Sequence, residues 1–169
     1  MEKFLLVGPN CSDLAEPNVE IKKFHDCENY IYIPEIEKLK GKHVAILHRC
    51  YPDQDSRFLQ FLQILSAVKP VAAKVTAIIP YLPYSRQDEI SRPGETDSAA
   101  MVTKVLSSAG LDELITFNCH FIESGESKKN IAGLNIENRS IVSDLFDYVK
   151  PRVSNPVFIA PDQGAAHFV

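Results

Sequence analysis

The sequence predicts an α/β domain around a mostly parallel central sheet, and three observations carry that expectation. From residue 43 onward, short apolar runs alternate with helical stripes, the signature of strand–helix–strand units. Polar residues of chemical interest each follow an apolar run: Arg49 after His43–Leu47, Arg86 after Val75–Ile79, His120 after Leu114–Phe117 and Asp162 after Val157–Ala160. Open α/β sheets hold ligands beyond the carboxyl ends of their strands, so these residues are expected to converge on one edge. Finally, 169 residues at 45% hydrophobic and 24% charged content suit one domain, or one domain and part of another, with a sizeable core.

The elements follow in order. Phe4–Val7 is a strand; Val19–Phe24 and Tyr30–Ile33 are two more, separated by His25–Asn29 as a hairpin loop. Lys40-Gly41-Lys42 marks a turn before the strand His43–Leu47. From Asp55 the period changes: Phe58, Phe61, Leu62 and Leu65 fall at i, i+3, i+4 and i+7, with Asp55 or Ser56 placed to cap and Pro70 to close the helix. After the strand Val75–Ile79, a second helix begins near Asp97–Ser98. Its stripe is Met101, Val102, Val105, Leu106 and Ala109, and Gly110 sits at the C-terminal cap.

Leu114–Phe117 is a strand ended by Asn118-Cys119-His120, and Glu123–Asn130 reads as a polar loop. Ser140 can cap a third helix with the face Val142, Leu145, Phe146 and Val149, stopped by Pro151. A proline-flanked linker then precedes the strand Val157–Ala160 and a turn at Pro161-Asp162-Gln163-Gly164. The last residues fall where a strand and turn should hand over to a helix. The sequence is therefore expected to be the N-terminal part of something longer, with a domain at 1–150 and a linker plus the start of a second domain at 151–169.

Composition narrows the function classes. A net charge of −4 argues against a general nucleic-acid surface, while a locally basic pocket still admits a small anionic substrate. No apolar run approaches the ~20 residues that span a bilayer, and no signal-like run opens the chain. The four cysteines lack CxxC spacing and read as reduced thiols, which points to the cytoplasm.

The stretch Ala77–Glu95, AIIPYLPYSRQDEISRPGE, holds the most chemistry. A buried-strand pattern runs into a turn stiffened by proline and tyrosine and then exposes Arg86, Gln87 and Asp88. Arg suits a phosphate, Gln a base edge or ribose, Asp a metal or its water shell. The plainer alternative is a solvated turn with surface ion pairs. His120 is either a metal ligand or a packed histidine at a strand end, and Asp162 in Pro-Asp-x-Gly is a natural turn residue. Phe24 can end a core strand, Asp26 and Glu28 can be hairpin charges, and Arg49, Asp53 and Arg57 are candidates by placement alone.

Four ordered motifs resemble the ribose-phosphate diphosphokinases, also called phosphoribosyl-diphosphate (PRPP) synthetases. Phe24-His25-Asp26-Cys27-Glu28 is similar to the family's F-x-D-G-E loop, and residues 79–88, IPYLPYSRQD, to its I-P-Y-x-x-Y-[AS]-R-Q-D signature. His120 sits where the family has a D-L-H metal site, and Pro161-Asp162-Gln163-Gly164 matches P-D-x-G. The resemblance covers nearly the whole chain. It implies a three-layer, type I phosphoribosyltransferase-like fold and a transferase that moves the diphosphoryl group of ATP to ribose 5-phosphate, with Mg²⁺ as cofactor. It also implies a homo-oligomer whose ATP site is shared between subunits.

By the same resemblance, Arg86, Gln87 and Asp88 bind ATP, while Phe24, Asp26 and Glu28 reach the ATP of a neighbouring subunit. His120 ligands the Mg²⁺ on ATP and Asp162 the Mg²⁺ on the ribose side. The family's ribose-phosphate loop and its catalytic Lys and Arg are expected beyond Val169, so this chain alone is expected to be inactive. Three positions depart from the pattern: Glu89 replaces a basic residue, Asn118 replaces the aspartate of D-L-H, and Cys27 replaces a turn glycine, for which a changed loop conformation is expected. These departures support an alternative, a non-catalytic PRPP-synthetase-like regulatory or assembly subunit.

Overall fold

The computed structural model describes residues 1–122 and 128–160. Its strands are β1 (Lys3–Val7), β2 (Glu20–Lys23), β3 (Asn29–Tyr32), β4 (His43–Leu47), β5 (Lys74–Ile78), β6 (Glu113–Phe117), β7 (Lys128–Ile131) and β8 (Leu134–Arg139). The helices are α1 (Gln54–Val68), α2 (Ser98–Ser108) and α3 (Val142–Val149). A six-stranded sheet runs in the order β1-β4-β5-β6-β8-β7, all parallel except β7, while β2 and β3 form a separate antiparallel pair.

Register explains the core. Leu6, Ile46, Ala77, Leu114 and Ile136 lie side by side across five strands, each no more than 1% exposed. Phe61, Ile64, Leu65 and Val68 of α1 join this cluster, as do Val102 and Leu106 of α2. Both helices therefore cover one sheet face, as right-handed crossovers running in one direction require. The opposite face is covered unevenly: Val7 and Thr76 are buried, Leu5 is exposed, and Ala45, Leu47, Ile78 and Ile115 are intermediate.

Several expectations need correction. Residues 128–130 belong to β7 rather than to a loop, and β8 follows it; the two strands are joined at Ala132 and Gly133, both with positive φ. Residues 157–160 form no strand, with Val157 and Ile159 each 82% exposed. The N-cap of α1 is Asp53, with no side-chain capping bond. Ser140 does accept from the Val142 amide at 3.3 Å, but α3 buries none of its residues in the described chain, and Leu145 stays exposed. Asp97 caps α2 as expected, accepting from the Ala100 amide at 2.8 Å. All four cysteines are free thiols, and no helix among the described residues is long and apolar enough to cross a membrane.

Candidate functional site

Because β4, β5 and β6 are parallel, the chain leaves all three at the same rim of the sheet. Beyond β5, Ile79 remains fully buried; Leu82 and Ser85 are also buried and pin the underside of the loop, leaving Tyr81, Tyr84, Arg86 and Gln87 exposed. Tyr84 has a left-handed backbone, φ 63°, which costs a residue with a side chain about 1–2 kcal/mol. Its phenol donates to Asp55 Oδ1 in the first turn of α1, and that hydrogen bond raises the phenol pKa. At Gln87, the residue after Arg86, the loop is tied to α2. Gln87 Oε1 accepts from Ser98 Oγ at 2.6 Å, and the Gln87 carbonyl accepts from the Ala99 amide at 3.0 Å.

Arg86 lies between these two anchors and pairs with no other described residue. A cavity of about 420 Å³ opens beside it, lined by Gln54, Asp55, Tyr81, Tyr84, Arg86 and Gln87. An unpaired guanidinium on a rigid turn is suited to a planar anion such as phosphate.

Asp88 follows, and its Oδ2 lies 3.4 Å from Nδ1 of His120 at the end of β6. The two residues that sequence placed on different strand ends are thus brought together. Among the described residues, no group of three or more His, Cys, Asp or Glu is arranged to hold a metal ion. Mg²⁺ commonly takes only one or two protein ligands beside waters and substrate phosphates. The Asp88–His120 pair fits a Mg²⁺ that arrives on a phosphate ligand, not a cage made of protein alone.

Asn118 and Cys119 do not add to that pair. Asn118, with φ 44°, accepts through Oδ1 from the Ile141 amide at 3.1 Å and so braces the start of α3. Burial pushes the Cys119 thiol up to about 11, which keeps it protonated at neutral pH.

Other expected site residues stand apart. Arg49 follows β4 as expected, yet its guanidinium pairs with Asp13 at 3.0 Å. Asp53 and Arg57 line a second cleft, of about 390 Å³, with Asn10, Lys22 and Lys23. Phe24, Asp26 and Glu28 occupy the β2–β3 hairpin tip and do not line the Arg86 cavity. Phe24 is 55% exposed and meets Tyr30 edge-on at 5.6 Å, and Asp26 Oδ1 accepts from the Glu28 amide at 3.1 Å. Cys27 has φ 72°, the left-handed region that glycine favours and that strains a residue with a side chain. Asp162 lies outside the described residues. The reading of sequence missed Asp55, Gln54 and Tyr81 as cavity residues, and took Tyr84 only as a stiffener of the turn.

Comparisons with known proteins bear on the family and the fold. Residues 11–110 match the family described as the N-terminal domain of ribose phosphate pyrophosphokinase. A ribose-phosphate pyrophosphokinase of Sulfurisphaera tokodaii is 34% identical over 148 residues, covering 87% of this chain and 49% of that protein. One from Pyrococcus abyssi is 34% identical over 176 residues, covering 98% and 58%. The crystal structure of phosphoribosylpyrophosphate synthetase from Mycobacterium smegmatis matches with a TM-score of 0.73 at 21% identity, over 89% of this chain and 52% of that one. The chain thus spans about half the length of the curated relatives it matches.

Proposed function

The chain belongs to the ribose-phosphate pyrophosphokinase family, through the N-terminal domain of that family, and from this premise we propose that it forms the ATP side of a ribose-phosphate diphosphokinase. In that reaction the 1-hydroxyl oxygen of ribose 5-phosphate attacks the β-phosphorus of ATP. The bond from that phosphorus to the α-phosphate oxygen breaks, giving PRPP and AMP. Such a transfer asks for cations around the triphosphate and little covalent chemistry from the protein. The observation that most supports the reading is Arg86, unpaired among the described residues, beside a cavity and held between two anchors.

In this reading Arg86 holds an ATP phosphate. Gln87, whose Oε1 is already bonded to Ser98, offers its amide N–H groups to the base or ribose. Asp88 completes the nucleotide site and, with His120, would hold the Mg²⁺ that comes with ATP; Asp162 would hold a second Mg²⁺ on the ribose side. When bound, Mg²⁺ neutralises charge that develops on the phosphates. Phe24, Asp26 and Glu28 serve the ATP of an adjacent copy, which accords with their exposure and their absence from the lining of the Arg86 cavity. The assembly is a homo-oligomer in the cytoplasm that needs neither nucleic acid nor membrane. Residues 1–150 act as the ATP-side domain and 151–169 as a linker into a second.

The test is AMP formation by the whole protein. AMP should appear from ATP only when ribose 5-phosphate and Mg²⁺ are both present. Absence of AMP with all three supplied would favour the second reading, a silent regulatory or assembly subunit. Asn118 is the observation on that side, since it puts a neutral amide where the D-L-H pattern has a carboxylate.

A further inference from the structure

Asp55 and Tyr84 line the Arg86 cavity but have no part in the roles above. They are nevertheless bonded to each other although 29 positions separate them. Asp55 stands on the first turn of α1, a 15-residue helix seated in the core by Phe61, Ile64, Leu65 and Val68, and is therefore a fixed point. Tyr84 stands on the loop, in a left-handed conformation that a tyrosine keeps only while its surroundings hold it. Arg86 comes two residues later, and Gln87 is tied to α2. Residues 84–87 thus form a short span fixed to one helix at each end, with the guanidinium carried between.

We propose that Asp55 and Tyr84 are positioning residues of this site, their hydrogen bond fixing the loop so that Arg86 is aimed at the phosphates of a bound nucleotide. This rests on the reading of the cavity as an ATP site. An acid in the wall of an anion site works against the ligand by charge alone. The geometry gives Asp55 a different use, as the acceptor that restrains Tyr84. The two effects predict opposite outcomes. If only charge mattered, Asp55→Ala would tighten ATP binding; if the bond positions Arg86, the same change weakens it.

The experiment is calorimetric titration of the chain with ATP and Mg²⁺, with unfolding midpoints measured in parallel. Tyr84→Phe and Asp55→Ala should each weaken ATP binding about fivefold, the size expected from losing one hydrogen bond that orients a binding group. Asp55→Asn keeps an acceptor oxygen and removes the charge, so it should bind ATP as tightly as the wild type or more so. Midpoints should stay within about 2 °C, because the bond lies at the surface. If Asp55→Ala does not fold, Tyr84→Phe, which removes one oxygen, reads the same bond. Arg86→Ala separates the possible failures. Should the wild type not bind ATP, or Arg86→Ala bind it equally well, the nucleotide reading falls and the positioning role with it. Should Arg86→Ala lose binding while Tyr84→Phe and Asp55→Ala keep theirs, or should Asp55→Ala bind tighter, only the positioning role is overturned.

Discussion

Stability should fall between pH 7 and pH 5 because of one buried histidine. His48, just past β4, is 0% exposed, and its Nε2 lies 2.9 Å from the Arg57 carbonyl. Its Nδ1 has no hydrogen-bond partner. Burial dominates and lowers its pKa from 6.5 to about 4, with the Arg57 carbonyl opposing that shift and the Arg57 charge adding to it. The folded pKa is below the unfolded one, so the unfolded chain takes up the proton more readily in this interval. The stabilisation is complete above about pH 6.5 and is lost as pH falls toward 4. The full linkage is about 3 kcal/mol, of which about 2 kcal/mol is lost by pH 5. The low-lying carboxylates Asp112 and Glu113 act in a lower interval, since their ordinary values are 3.8 and 4.5 and their shifts are downward. The assay is urea unfolding at pH 7, 6 and 5 followed by far-UV circular dichroism, because the chain has no tryptophan. His48→Gln is the control: its amide can donate to the Arg57 carbonyl but does not titrate. The wild type should lose about 2 kcal/mol more than the variant over this range. Equal losses would refute the account of His48.

Three further outcomes follow from the geometry. Gly8 has an ordinary backbone, φ −70°, but a Cβ there would lie 2.7 Å from His48 Nδ1 and 2.8 Å from Asn10 Oδ1. Gly8→Ala should therefore cost about 1–3 kcal/mol, a fall of roughly 3–10 °C in Tm, and a shift under 1 °C would show that the pocket has slack. At the hairpin tip, Cys27→Gly should be more stable than Cys27→Val by about 1–2 kcal/mol in chemical denaturation, because φ 72° suits glycine and strains a β-branched residue. Equal stabilities would mean the turn is not held left-handed. Arg86→Ala should weaken ATP binding about ten- to a hundredfold, the size of a charge-assisted phosphate contact, without lowering Tm. An unchanged affinity would remove Arg86 from the site.

The parallel core was legible because its strands carry strong period-2 or fully apolar patterns and its helices carry regular stripes. His43–Leu47 and Leu114–Phe117 agree closely with β4 and β6. The β7–β8 hairpin was not legible, since Lys128, Lys129 and Asn130 look like loop and Ala132-Gly133 is a weak turn signal. The alternation Leu134-Asn135-Ile136-Glu137 was available, and Leu134 and Ile136 are indeed its buried members. Residues 157–160 fail in the opposite way: a β-branched run has strand propensity, but it needs a neighbour to pair with, and none is found among the described residues. The candidate site was legible as a motif, in Arg86, Gln87 and Asp88. Its wall was not, because the Asp55–Tyr84 bond joins two elements whose proximity depends on the parallel order of β4 and β5.

The three departures from the family pattern carry unequal weight once the geometry is known. Cys27 takes a left-handed turn at a local cost in strain, so the replacement leaves the chain a tight hairpin at residues 24–28. Glu89 is exposed and forms no ion pair with Arg86, so it leaves that guanidinium unpaired among the described residues. Its effect is a weaker long-range attraction for a triphosphate, of the kind that salt screens. Asn118 is different in nature, since its side chain is committed to the Ile141 amide and a carboxylate in its place could serve the same bond. The argument for a silent subunit therefore rests on Asn118 alone, and on whether the Asp88–His120 pair suffices for Mg²⁺ that arrives with its nucleotide. Dependence of ATP affinity on Mg²⁺, and its loss in His120→Ala, would answer that for this chain without any need for turnover.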